Sequence, residues 1–301
     1  MNKNRGLLFR LECKKCFTGL TVGFIFIFLL ARCAAAYFEF RESEEDGLYK
    51  ETVAAYTGAA DQAVINEIKE KYGQYTALLS EFPNTQILYA EGKIEREVFM
   101  EQLEEYKYIN RYINAWEQLN DNALRYEMPE GKSFSFFYEN AWEKLLSVSG
   151  IDYICVLLFI LVLIPYFFLD ESVEIYPVIS CLAGYKNVRR YRIVIGILFA
   201  SVCVLLCESI DLAAACVCSD IPEFNACAYS LSEYSGMAPG IPLSAMFAVR
   251  LVFRMFESAV MVFALAALQR CVKNKILTMA AMFALLIAGN SFAFKIFIEF
   301  L

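Results

Sequence analysis

DESVEIYPVISCLAGYKNVRRYR, residues Asp170 to Arg192, separates two runs that are too apolar and too long for anything but membrane helices. It opens with three acids, Asp170, Glu171 and Glu174, and closes with four bases, Lys186, Arg189, Arg190 and Arg192. Between them lies a short amphipathic piece, residues 175–183, broken by Pro177 and ended by Gly184. A charged loop of this length is expected to fold at a membrane surface and to dock a soluble partner there.

Working outward, the apolar runs are residues 151–169 and 193–215 on either side, then 242–268 and 276–294. Each approaches or exceeds the roughly 20 residues that a membrane span needs. The 301 residues are 58% hydrophobic and their mean hydropathy is +0.45, which places the chain among integral membrane proteins. The expected fold class is all-α: a polytopic helical membrane protein of about five transmembrane helices with a helical extracytoplasmic insertion.

The first span is expected at residues 17–36, after a basic start, residues 1–16, that carries Lys3, Arg5, Arg10, Lys14 and Lys15. A cleaved signal peptide would share the basic start and Ala-rich exit. The apolar stretch of about 20 residues favours a helix with Arg32 snorkelling outward. Arg32 beside Cys33 argues against a lipoprotein site.

Residues 37–150 read as a soluble helical domain that holds most of the acid behind the net charge of −7. Val64, Ile68, Tyr75 and Leu79 keep helical spacing, as do Phe99, Leu103, Tyr106, Ile113, Trp116 and Ala123. Breaks are expected at Phe82-Pro83-Asn84 and at Met128-Pro129-Glu130-Gly131. The reading is an antiparallel hairpin of two long helices, then a third piece, residues 133–149, leading back to the membrane. The frequent tyrosines (Tyr72, Tyr75, Tyr106, Tyr108, Tyr112) are expected to pack between helices rather than to recognise a peptide or glycan.

Sidedness follows from charge. With five spans the connecting segments alternate. The N-terminus, residues 170–192 and residues 269–275 then share one side, and all three are basic. Residues 220–240 fall on the other side and contain no Lys or Arg. This is the positive-inside pattern, with the N-terminus cytoplasmic and residues 37–150 outside.

Composition excludes several chemistries. The chain has no histidine, so His-based acid–base catalysis and most catalytic zinc sites are out, and no metal site is expected. No basic face suits a nucleic acid. Gly131-Lys132-Ser133 lacks the upstream glycine of a phosphate-binding loop, since Tyr126 stands there. Cys13 and Cys16 have metal spacing without a second pair, and Cys155, Cys203 and Cys207 read as small hydrophobes inside helices. Cys216, Cys218 and Cys227 leave room for at most one disulfide. The chain is not expected to be an enzyme.

Charges inside the spans are the remaining signal. Glu208 and Asp211 lie three apart on one helix face, and Arg250, Arg254 and Glu257 line one face of the next span. At about 1.5 Å per residue both groups fall in the outer half of a bilayer. Each such charge costs roughly 2.5–3.5 kcal/mol, so they should pair or face water. Arg250 and Arg254 are expected to meet Glu208 and Asp211 across the helix interface, as a lock between helices or the lining of a polar path.

The arrangement resembles an ABC transporter permease of the ABC-2 type, as found in bacterial exporters and antimicrobial-peptide protection systems. That family has a first span, a large outer insertion and a second span. A cytoplasmic loop follows, with acids, Ser-x-x-x-Gly, then bases. Glu171 and Glu174 match the acids, Ser180 and Gly184 the middle, and Lys186, Arg189, Arg190 and Arg192 the bases. Residues 269–275, with Lys273-Asn274-Lys275, are similar to the family's turn between its fourth and fifth spans; the family usually has six spans, and five are read here. The resemblance implies a separate ABC ATPase subunit that docks the 170–192 loop and carries the ATP and Mg. This chain itself would hold no cofactor. It also implies a second permease copy or paralogue beside it in the lipid bilayer. The competing class is a membrane-anchored sensor whose outer helical domain binds a ligand; it would require a cytoplasmic output domain.

Overall fold

The structure is a computed structural model that describes residues 2–127, 134–147, 153–169, 185–219, 221, 223–235, 240–272 and 274–290. The chain forms two compact units. One takes Met1–Phe40, Leu145–Val217 and Ala245–Leu301, the other Arg41–Lys144 and Cys218–Ser244. The first is apolar and the second polar.

The apolar unit begins with α1 (Asn2–Cys16) and α2 (Gly19–Phe40). The chain breaks between them at Phe17-Thr18, where the Thr18 hydroxyl accepts from the Thr21 amide at 3.3 Å. It continues with α7 (Tyr153–Phe167), α8 (Tyr185–Cys218), α9 (Leu243–Cys271) and α10 (Lys275–Asn290). Three of these, α2, α8 and α9, are long and apolar enough to cross a membrane. Helices α7 and α10 are described over 15 and 16 residues, and each adjoins residues outside the described set.

The core of this unit is Leu163, Phe167, Phe199, Cys203, Val262 and Leu265 with their neighbours. A Cβ on Gly196 of α8 would stand 3.0 Å from Val262 Cγ1 and 3.2 Å from Phe167 Cε2. A larger residue there would require the Val262 and Phe167 side chains to shift. Large apolar side chains cover the outside instead of polar ones: Leu20, Phe26, Val252, Phe256 and Phe263 are all more than half exposed. Apolar outside and charge inside reverses the water-soluble pattern and is consistent with a membrane protein.

The polar unit contains α3 (Glu44–Ala54), β1 (Gly58–Ala59), α4 (Gln62–Ala90), α5 (Arg96–Glu127), β2 (Ser135–Phe136) and α6 (Asn140–Leu146). Strands β1 and β2 pair antiparallel, Gly58 opposite Phe136. Helix α3 starts on a reciprocal cap. The Ser43 hydroxyl accepts from the Asp46 amide at 3.0 Å, and the Asp46 carboxylate accepts from the Ser43 amide at 3.3 Å. Helices α4 and α5 form the expected hairpin.

The expected break at Pro83 does not occur, and α4 runs on to Ala90. Pro83 forfeits one backbone hydrogen bond. Phe82 beside it is buried and stacks on Tyr106 at 4.0 Å, so packing outweighs the local penalty. The hairpin turns at Gly92, whose φ of 71° suits a residue without a side chain. The second expected turn, residues 128–131, lies outside the described residues.

Residues 220–240, read as a separate loop, fall within Cys218–Ser244, which belongs to this unit. Arg125 and Tyr126 of α5 donate to the Ser230 carbonyl at 2.6 and 3.0 Å, and the Ser232 hydroxyl donates to Glu143 at 2.6 Å. Trp142, fully buried, meets the Phe224 ring edge-on at 5.3 Å. The expected tyrosine packing is seen at Tyr75, which lies edge-on to Trp116 at 5.1 Å, and at Tyr106. At the centre the Glu139 carboxylate accepts from the Tyr49 hydroxyl at 2.7 Å and from Asn122. This joins α3, α5 and the start of α6.

Candidate functional site

Charged side chains gather inside the apolar unit where α2, α8 and α9 carry them. Arg254 of α9 pairs with Glu208 of α8, the contact expected from helix spacing. Asp211, one turn further along α8, pairs with Arg32 of α2 and not with Arg250 or Arg254. Arg32 is therefore not a snorkelling residue. It is 7% exposed and also lies 3.6 Å from Glu39, two turns on in its own helix.

Arg250 is 4% exposed, and Glu257 is half-buried on α9. Two ion pairs, Arg32–Asp211 and Arg254–Glu208, thus stand inside the unit, with Glu39 exposed beside Arg32 and with Arg250 and Glu257 on the same helix as Arg254. Among the described residues, Glu208 Oε2, Asp211 Oδ1 and Glu257 Oε2 have no hydrogen-bond donor. Buried acceptors of this kind are costly in an apolar body. Glu39 was missed in the sequence because it sits past the apolar run; its seven-residue spacing from Arg32 was the available signal.

The residues matched to an ATPase-docking loop fare differently. Glu171, Glu174, Ser180 and Gly184 lie outside the described residues, as does the side chain of Lys186. The basic end is not loop: α8 begins at Tyr185 and takes in Arg189, Arg190 and Arg192. Residues 185–192 contain neither Gly nor Pro, and Lys and Arg propagate helix well. Arg190 is exposed, whereas Arg189 donates to the Ala266 carbonyl of α9 at 3.2 Å.

Arg192 is buried at the same end. Its Nε donates to Glu12 of α1 at 3.3 Å and its Nη1 to the Phe167 carbonyl at 3.1 Å. Gln269 of α9 donates to that same carbonyl at 2.6 Å. Glu12 is the only acid in residues 1–16 and was passed over among the bases. Its spacing from Phe9 and Cys16, both on the packed side of α1, marked it as inward-facing. No group of acids and thiols able to hold a metal occurs among the described residues, and Cys218 and Cys227 are not joined to each other.

Comparison with protein-family profiles, curated proteins and solved structures finds no match to this chain.

Its chemistry must therefore be argued from its own groups. Those groups are buried ion pairs within the apolar unit and, at the Arg189–Arg192 end, hydrogen bonds from α8 to α1, α7 and α9.

Proposed function

We propose that the chain is the membrane-spanning permease subunit of an ABC-type transporter, driven by ATP hydrolysis on a separate ATPase subunit. The observation that carries this reading is the inside-out polarity of the apolar unit. Arg32, Glu208, Asp211, Arg250 and Arg254 are each at most 7% exposed, while apolar side chains face outward. A transporter needs polar groups inside an apolar wall, and an ion-paired lining supplies them without stranding bare charge in lipid.

Two further observations support it. The segments 41–144 and 218–244, which the charge rule puts on one side of the membrane, share one compact unit. The acid-to-base stretch ends on helix α8, tied by Arg189 and Arg192 to α1, α7 and α9. A partner that moves this stretch would have several helices to pull on. In this reading α7 and α10 complete a five-span body in a bacterial cell membrane, with the N-terminus cytoplasmic. A second permease copy or paralogue frames the path, and ATP and Mg sit on the partner.

The test is purification of the intact complex from native membranes in mild detergent. An ATP-binding subunit should accompany the chain, and Arg190→Glu, which alters an exposed base, should weaken that association. Recovery of the chain without any nucleotide-binding subunit would overturn the reading.

A further inference from the structure

Residues 170–184 stand between α7 and α8 in the sequence, and the end of α7 and the start of α8 are fastened to each other and to α1. Glu12 is 3% exposed. It accepts from Lys15 at 2.7 Å, from Arg192 Nε at 3.3 Å and from the Tyr166 hydroxyl at 3.3 Å. Arg192 Cζ lies 5.6 Å from the centre of the Tyr166 ring. One α1 side chain therefore grips the last turn of α7 and the second turn of α8 together.

The Phe167 carbonyl, at the end of α7, is an orphan acceptor by position. It is satisfied by Arg192 from α8 and Gln269 from α9. The Phe9 ring meets Tyr191 edge-on at 5.9 Å and closes α1 over α8. A short helix at a membrane edge ordinarily keeps its acids in water. Here the acid is turned inward to a buried arginine, and removal of either partner would strand the other charge in the interior.

We propose that Glu12 and Arg192 are positioning residues. They clamp α1 to the ends of α7 and α8 that bracket residues 170–184, so that a displacement of that segment moves α1, α7, α8 and α9 as one body. The clamp is a property of this chain alone. Its role in coupling rests on the permease reading.

The experiment is amide hydrogen exchange on the full chain in lipid nanodiscs, with Glu12→Gln, Arg192→Gln and the double variant. Each single change should speed exchange of residues 8–16 about tenfold or more, the order expected from losing a buried charged hydrogen bond. The double variant should fall short of the two singles' combined effect, because both remove the Glu12–Arg192 contact while each also loses contacts of its own. Additive effects, or unchanged exchange in Glu12→Gln, would overturn the clamp. If Arg192→Gln does not fold, Arg192→Lys takes its place and should give intermediate exchange.

The coupling role is read in the complex with its ATPase. Glu12→Gln should retain ATP hydrolysis and lose substrate movement. Undiminished substrate movement, or equal loss of both, would make the pair structural and remove the positioning role. Should no ATPase accompany the chain, the permease reading falls while the exchange result still judges the clamp.

Discussion

Arg32 shows how one side chain's neighbours decide its meaning. In the sequence it is a single base in an apolar run, and a long flexible base near a helix end is expected to reach for water. In the structure it turns inward to Asp211 and Glu39. The pair is worth little as a pair and much as a mutual neutralisation, since removing one partner leaves a bare charge in a water-poor setting. Arg32→Leu or Asp211→Leu alone should each cost about 3–5 kcal/mol of stability, and the double Leu variant should regain most of it. Thermal unfolding of the purified chain measures this. A double variant as unstable as the sum of the singles would show that the two do not answer to each other. The partner of Asp211 was not readable in the sequence, because helical spacing orders residues within a helix and says nothing of which helix faces it.

At the scale of elements, the polar unit turns on Glu139. Burial raises its carboxyl above the ordinary range, while hydrogen bonds from Tyr49 and Asn122 pull the other way. Asp46, at the start of α3, shifts in the opposite direction. Burial acts to raise it, but hydrogen bonds from Asn140 and Ser43 and the nearby Lys144 together hold it below its usual value. The two therefore shape different pH windows. A carboxyl raised in the folded state binds its proton more tightly there, so its contribution is complete at low pH and is lost as pH climbs through the raised value. A carboxyl lowered in the folded state contributes above its unfolded value, and that contribution is lost as pH falls.

Stability of the polar unit should thus fall as pH rises past the ordinary glutamate range, and Glu139→Gln should flatten that slope while leaving the acid-side loss. Unfolding midpoints across pH, followed through Trp116 and Trp142, would check it. An unchanged slope in Glu139→Gln would place the linkage elsewhere. The α4–α5 hairpin was readable from the spacing of Ile68, Tyr75, Phe99, Tyr106 and Trp116. The course of α4 through Pro83 was not, because the stacking of Phe82 on Tyr106 that sustains it joins residues 24 positions apart.

For the whole molecule, composition gave the class, and the three long apolar helices agree with it. The helix over residues 185–192 was open to a reading of propensity, but the merging of 218–244 with 41–144 needed contacts between distant stretches that no local pattern encodes. The same is true of Glu12, whose role depends on an arginine 180 residues away.

The permease account stands on sidedness. The α4–α5 hairpin must be outside the cell, and the turn between α9 and α10 inside it with residues 170–184. The direct measurement is labelling of whole cells with a thiol reagent that cannot cross membranes, on a chain whose native cysteines are replaced. Single probe cysteines stand at Asn110, exposed on α5, and at Asn274, exposed between α9 and α10. The account predicts labelling at 110 in intact cells and at 274 only after the membrane is opened. Labelling at 274 in intact cells, with 110 protected, would contradict it.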